Sequence, residues 1–137
     1  MTHQEEIIAD VVAYLSGIDG AKTIPAADYT EEREPNMVIV RIDSVERVNF
    51  GLDDFKYVMT VIVDTFKDED KDGAEFDRIH TEVLDRLNEI FDSPKSYGDI
   101  FPDLDRIVHF HFSYEDIGVA DRSNRANINI EIVGSFN

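Results

Sequence analysis

An acidic stretch, KDEDKDGAEFD, places an aspartate at every second position before a glycine. These residues are Asp68, Asp70, Asp72 and Gly73. Such alternation, with glycine sixth, is typical of the first half of a calcium-binding helix–loop–helix loop. The twelfth position requires a bidentate glutamate, but it holds Ile79, which cannot bind a cation. A predicted strand, not a helix, precedes the stretch, so we interpret it as a strand-to-helix turn and expect no metal there.

The same residues suit the start of a helix. Asp72 is the predicted N-cap, because its side chain can accept a hydrogen bond from a free backbone N–H. Glu75 and Asp77 would follow in the first turn, near the positive end of the helix dipole. Gly73 would ease the turn.

Three histidines are the other candidate ligands. His109 and His111 share one face of a predicted strand, about 7 Å apart by strand geometry. With His80 from a predicted helix they could form a metal site. Two histidines without a carboxylate at fixed spacing are a weak signal, so we favour a polar or interface-facing sheet surface.

Catalytic signatures are absent from the sequence. It has no cysteine, no GxSxG, no HExxH and no phosphate-binding glycine loop. Its carboxylates are numerous but scattered, and no pair is marked as an acid and a base. We therefore expect no enzyme activity and no cofactor.

The charge restricts the possible partners. The chain of 137 residues has a formal net charge of −17, which disfavours binding to nucleic acid and to anionic membranes. The acidity could be a solubility coat, an adaptation to high salt, or the lining of a passage through which a polyanion slides. No apolar run reaches the roughly 20 residues of a membrane span. The N-terminus lacks a secretory signal, which favours the cytoplasm or a particle assembled there.

The periodicity of apolar residues predicts one domain with two main helices and four strands. The helices are expected over about 3–16 and 74–91, and the strands over about 36–45, 55–66, 106–116 and 125–133. The segment 21–35 is predicted to be a loop. The order α-β-β-α-β-β, with short connections within each strand pair, predicts an α+β fold with a four-stranded, mainly antiparallel sheet and helices on one face.

More apolar residues are present than this arrangement needs. The second face of the first two strands carries apolar residues that either the first helix or a partner must cover. They are Met37, Ile39, Val58, Ile62 and Phe66. Six further apolar residues fall in or beside the loops. We take these as candidate oligomer or partner contacts: Phe50, Leu52, Phe55, Tyr97, Ile100 and Phe101.

The whole element order resembles the tail terminator and tail completion proteins of long-tailed phages. The likeness covers nearly all of the chain and is clearest in VMTVIVDTFKDEDKDGAEFDRIHTEVLDRLNEIF, a strand, a polar turn and an amphipathic helix, and in the closing RANINIEIVGSFN. It is a likeness of pattern, without a catalytic motif. The polar turn is longer and more acidic than is usual in the family.

The resemblance implies a structural virion protein that forms a ring, commonly a hexamer. The ring would cap the tail tube and join it to the connector at the neck, and DNA would pass through without specific binding. An acidic turn would then face the lumen or the next ring. The residues concerned are Asp68, Glu69, Asp70 and Asp72. The alternative is a small cytoplasmic domain that binds a basic protein through its acidic surface.

Overall fold

A computed structural model of the chain describes residues 3–28, 36–47, 55–66, 70, 72–92, 101, 104–120 and 123–136, with the backbone alone for 3, 90–92, 104–120, 123, 135 and 136. The elements are α1 (His3–Leu15), β1 (Lys22–Pro25), a 3-10 turn (Ala26–Asp28), β2 (Asn36–Arg47), β3 (Phe55–Phe66), α2 (Ala74–Asp92), β4 (Leu104–Ala120) and β5 (Ser123–Phe136).

The strands form one sheet in the order β1-β2-β3-β5-β4. The pairs β2–β3, β3–β5 and β4–β5 are antiparallel, and β1 joins the edge in parallel with β2. The predicted α+β fold, with its antiparallel strands and two main helices, is confirmed. The short strand β1 lies in the segment that was predicted to be a loop. Its four residues end in Pro25, which an edge strand tolerates because it needs hydrogen bonds on one side only.

The second hairpin is longer than predicted. Its pairing continues through the segment that the sequence assigned to a connection, from Asp116 opposite Asn127 to Ala120 opposite Ser123. The polar and glycine residues there favour a turn locally, but backbone pairing with the adjacent strand does not depend on side-chain alternation.

The hydrophobic core lies between the sheet and both helices. From the sheet it receives the faces that the sequence predicted, including Val38, Val40, Tyr57, Met59, Val61, Val63, Ala126, Ile128, Ile130 and Ile132. From the helices it receives Ile7, Val11, Leu15, Phe76, Ile79, Val83 and Leu87. α1 packs against β1 and β2, and α2 packs against β3, β4 and β5. Both helices therefore lie on one side of the sheet and form what we call the helix layer.

This placement excludes one of the two explanations for the surplus apolar residues. The first helix does not cover the second face of β2 and β3, because its apolar stripe packs in the same core as α2. Within the described part of the chain, no helix covers that second face.

The two helices are joined directly. Arg86 Nη1 of α2 donates hydrogen bonds to the carbonyl oxygens of Tyr14 (3.1 Å) and Ser16 (2.6 Å). The hydroxyl of Tyr14 donates in return to the Arg86 carbonyl oxygen at 2.8 Å. The last carbonyls of a helix have no partner within that helix, so the guanidinium group caps α1 while fixing its position beside α2.

Two of the six candidate contact residues can be located. Phe101 is 1% exposed and belongs to the core, so its predicted role in a partner contact is wrong for the folded chain. A large apolar side chain next to a core gap gains more by filling it than by remaining in solvent. Phe55 is half-buried at the start of β3 and packs against the core. Phe50, Leu52, Tyr97 and Ile100 lie outside the described residues.

Replacing Phe101 with alanine should lower the free energy of unfolding by about 3–5 kcal/mol, the usual cost of removing a buried aromatic ring. Phe55→Ala is the matched control and should cost less, because Phe55 keeps part of its surface in solvent. Urea denaturation followed by circular dichroism measures both. Equal losses for the two variants would contradict a core role for Phe101.

Candidate functional site

The acidic turn is organised around one buried carboxylate. Asp70 is 5% exposed, and it accepts hydrogen bonds from the backbone N–H groups of Glu75 (3.0 Å) and Phe76 (2.9 Å) at the start of α2. The hydroxyl of Thr65 on β3 donates to it at 3.0 Å. The amide of Asn124 on β5 donates to its side chain at 3.4 Å and to its backbone carbonyl at 3.1 Å. Asp70 therefore connects two strands to a helix N-terminus.

The ionised form of Asp70 is the stable one. Burial raises the pKa of this carboxyl, but the hydrogen bonds from Glu75, Phe76, Thr65 and Asn124 together outweigh it and hold the pKa below its usual value. The prediction that Asp70 faces a lumen or a partner is therefore wrong for the folded chain. Both its oxygens accept hydrogen bonds within the chain.

The predicted cap, Asp72, has a smaller role. Its Oδ1 accepts one hydrogen bond, from the N–H of Ala74 at 3.1 Å. Gly73, with a φ of 73°, occupies the cap position and has no side chain to contribute, so the next two N–H groups depend on Asp70. Asp72 is exposed. Asp68 and Glu69 lie outside the described residues.

The three histidines do not belong to one layer. His109 and His111 of β4 align with Val133 and Glu131 of β5, whereas His80 belongs to α2. His80 is 9% exposed and stacks on Phe76, with ring centroids 5.3 Å apart. No group of three metal-ligating side chains converges among the residues whose side chains are described.

One open cavity of about 680 Å³ lies between α1, the segment after β1, and β2. Its lining is mostly apolar and includes Ile8, Pro25 and Ile42, with Glu5 and Arg41 as the charged members. Glu5 is exposed and is the one carboxylate in the lining. Among the described lining residues there is thus no buried pair of carboxylates of the kind that acid–base catalysis uses.

The side of the sheet opposite the helix layer is a second surface, which we call the outer sheet face. Its described members are placed by strand register and side-chain contacts. They are Lys22, Ile24, Met37, Ile39, Arg41, Asp43, Glu46, Lys56, Val58, Thr60, Ile62, Asp64, Phe66, Arg125, Asn127, Asn129, Glu131 and Val133. Met37 and Ile39 are 6% and 5% exposed. Val58, Ile62 and Val133 remain half-buried without cover from a described helix.

Ion pairs lie on both sides of these apolar residues. Arg125 Nη2 is 2.9 Å from the buried carboxylate of Asp64, and Lys56 Nζ is 2.7 Å from Glu131 Oε1. The hydrogen bond with Glu131 raises the pKa of Lys56, and both side chains are about one-third exposed.

A third ion pair on the outer sheet face joins Arg41 and Asp43. Arg41 Nε donates to Asp43 at 2.8 Å, and the hydroxyl of Thr60 donates to the same carboxylate at 2.5 Å. A small pocket of about 230 Å³ lies between Arg41, Arg125 and the apolar floor of Ile39 and Ile62.

Sequence reasoning missed the two cross-strand pairs, Arg125 with Asp64 and Lys56 with Glu131, because each joins residues far apart in the chain. Asp64 and Arg125 are separated by 61 positions, and their contact depends on the register between β3 and β5. One sequence feature could have indicated the pair, because Asp64 and Arg125 each place a charge in a strand whose other residues are largely apolar or alternate with apolar ones.

Comparison with known proteins gives no relative. The chain matches no protein-family model, and a search of curated proteins finds no match. None of the described helices is long and apolar enough to span a bilayer.

The Asp70→Ala variant should lose about 1–3 kcal/mol of stability or more, because Glu75, Phe76 and Thr65 would keep buried donors without an acceptor. Asp72→Ala should cost about 1 kcal/mol at most, since it removes one exposed bond. Urea denaturation of the two variants is the measurement. A larger loss in Asp72→Ala would assign the main cap to Asp72 after all.

His80 should make the fold sensitive to mild acid. Burial lowers its pKa below the ordinary 6.5, and the nearby Asp77 only partly offsets this. The folded chain therefore binds this proton less readily than the unfolded chain. As a result, the contribution of neutral His80 to the free energy of unfolding is fully present above pH 6.5 and is lost as the pH drops through the lowered pKa. Urea denaturation at a series of pH values should show a shallower acid loss for His80→Leu. An unchanged pH profile would count against this assignment.

Proposed function

We propose that the protein is a structural subunit of a long-tailed phage or related virus. In this role it assembles into a homo-oligomeric ring that caps the tail tube and joins it to the neck connector, as the tail terminator proteins it resembles do. The observation that supports this best is the one-sided architecture. Both helices pack on one face of the sheet, and the other face presents half-buried apolar residues.

A ring requires each subunit to offer two different surfaces, one to each neighbour. The fold provides two surfaces of different character, the outer sheet face and the apolar cavity beside α1. The cavity beside α1, lined by Ile8 and Ile42, adds apolar area next to the edge of β2. These features support an assembly subunit better than an enzyme.

The charge also suits this role. On α1 and α2, the described side chains include eight acidic residues and two basic ones. They are Glu5, Glu6, Asp10, Glu75, Asp77, Glu82, Asp85 and Glu89, against Arg78 and Arg86. A negative surface along the DNA path would let the polyanion pass without binding, since attraction to phosphate slows movement. In this proposal the helix layer replaces Asp70 as the source of that charge.

The same acidic helix layer favours the second candidate, a small cytoplasmic domain that binds a basic protein. Arg78 and Arg86 each pair with a glutamate of their own helix, at 2.7 Å and 3.3 Å. The described side chains of the two helices still carry a net negative charge, which would attract a cationic partner. Such binding would weaken as salt screens the charges.

Light scattering after size-exclusion chromatography, followed by negative-stain imaging, tests the proposal. We expect closed rings, alone or on purified tail tubes, and we expect Phe50→Ser to yield folded subunits that fail to close them. A protein that stays monomeric even with tail tubes, yet captures polylysine at low salt, would overturn the proposal and favour the binding domain.

A further inference from the structure

The outer sheet face differs from the rest of the molecule in its charge. Its described side chains include four basic and four acidic residues, whereas the whole chain has a formal net charge of −17. The basic residues are Lys22, Arg41, Lys56 and Arg125, and the acidic residues are Asp43, Glu46, Asp64 and Glu131. Among the described side chains, a net negative charge is instead carried by the helix layer, with eight acidic residues and two basic ones.

Three of the four acids on this face are in direct contact with a base on the same face. The pairs are Arg41 with Asp43, Lys56 with Glu131, and Arg125 with Asp64, all within 2.9 Å. The fourth, Glu46, lies opposite Lys56 in the β2–β3 register and contributes to raising the pKa of that lysine. Among its described residues, the face therefore has no net charge, and each acidic group lies close to a basic one.

From this we infer that the outer sheet face is the surface on which a second copy of this chain docks. Two molecules that each carry a strong negative charge repel one another through most orientations. The repulsion is smallest where the approaching surface has no net charge. Half-buried Val58, Ile62 and Val133 then supply apolar area whose removal from water favours association.

The dimensions are sufficient for a stable contact. The four long strands β2, β3, β4 and β5 have 12, 12, 17 and 14 residues. Lying about 4.8 Å apart, they cover roughly 20 Å by 40 Å, or roughly 800 Å². Standard protein interfaces bury about 800 Å² on each partner. A basic partner is a poorer fit to this face, because the unbalanced carboxylates that would attract it are on the helix layer.

This inference deepens the proposed function by naming one of the two ring surfaces, and to that extent it rests on it. The docking itself needs only that copies of the chain associate.

Charge reversal at one ion pair provides the test. Lys56→Glu makes the outer sheet face net negative, so we expect self-association to weaken by about tenfold or more, as like charges at an interface do. The double variant Lys56→Glu/Glu131→Lys restores neutrality with the pair inverted, and it should recover association to within about threefold of the wild type. Sedimentation velocity over a range of concentrations measures the dissociation constants.

The matched control is on the helix layer. Arg78→Glu also breaks an ion pair, with Glu75, and changes the net charge by the same amount as Lys56→Glu. It should leave self-association nearly unchanged. If Arg78→Glu weakens association as much as Lys56→Glu, or if the double variant does not recover, total charge controls the contact and the inference is overturned. Circular dichroism and urea denaturation establish that each variant is folded.

The salt dependence of self-association is a second, independent test, and it uses the wild-type chain. Raising sodium chloride from about 0.05 M to about 0.5 M screens the repulsion between the acidic surfaces, so association of the wild-type chain should become stronger. A contact that weakens with salt, or a chain that is monomeric across this range and at high concentration, overturns the inference.

Failure of this docking inference can be distinguished from failure of the proposed function. Rings that persist in Lys56→Glu but are lost in Phe50→Ser would overturn this docking surface and leave the ring. Association that depends on Lys56 but stops at closed pairs would support the docking surface and overturn the ring.

Discussion

The capping of α2 by Asp70 is the interaction on which the rest of the architecture depends. The chain leaves β3, turns, and must start a helix whose first N–H groups have no partner within the helix. Asp70 accepts two of those bonds and is itself held by Thr65 from β3 and Asn124 from β5. The direction of α2 relative to the sheet is thereby fixed by groups on two of the central strands.

The position of α2 in turn decides that of α1. With α2 lying over β3, β4 and β5, the remaining sheet area on that side lies over β1 and β2, where α1 packs. Arg86 holds this arrangement by binding the carbonyls at the end of α1. The charged face of α2 therefore contributes to helix packing as well as to the solvent-exposed surface. One consequence is that the two acidic helices lie on the same side, which concentrates the negative charge there.

The sheet then separates two unlike surfaces. The helix layer carries unbalanced carboxylates, and the outer sheet face carries apolar residues between internal ion pairs. The more exposed ion pairs, Arg41 with Asp43 and Lys56 with Glu131, contribute little to stability, and their main effect on this face is to balance its charge. Arg125 in addition pairs with the buried carboxylate of Asp64. A subunit with this polarity is suited to assembly, because it can bury its neutral face while its acidic side remains in solvent or lines a passage.

Local pattern in the sequence determined the two helices, the four long strands, and the residues that fill the core. Val38, Met59, Val83 and Ile128 were all assignable because burial follows the period of the element, 3.6 or 2 residues. The sequence alone also argued against a calcium-binding loop, since Ile79 has no ligating atom and Asp72 lies beside a helix start.

Only the tertiary structure decided what the individual polar and aromatic residues do. Asp70 and Asp72 look equivalent in the sequence, yet one is buried as the main cap and the other is exposed, because Thr65 and Asn124 reach only the first. Phe101 looks like a surface residue in a loop and fills the core instead. The charge balance among the described residues of the outer sheet face depends on the register of β3 and β5, which brings Asp64 to Arg125 and Lys56 to Glu131. Such pairings arise from contacts across the fold, and no local period encodes them.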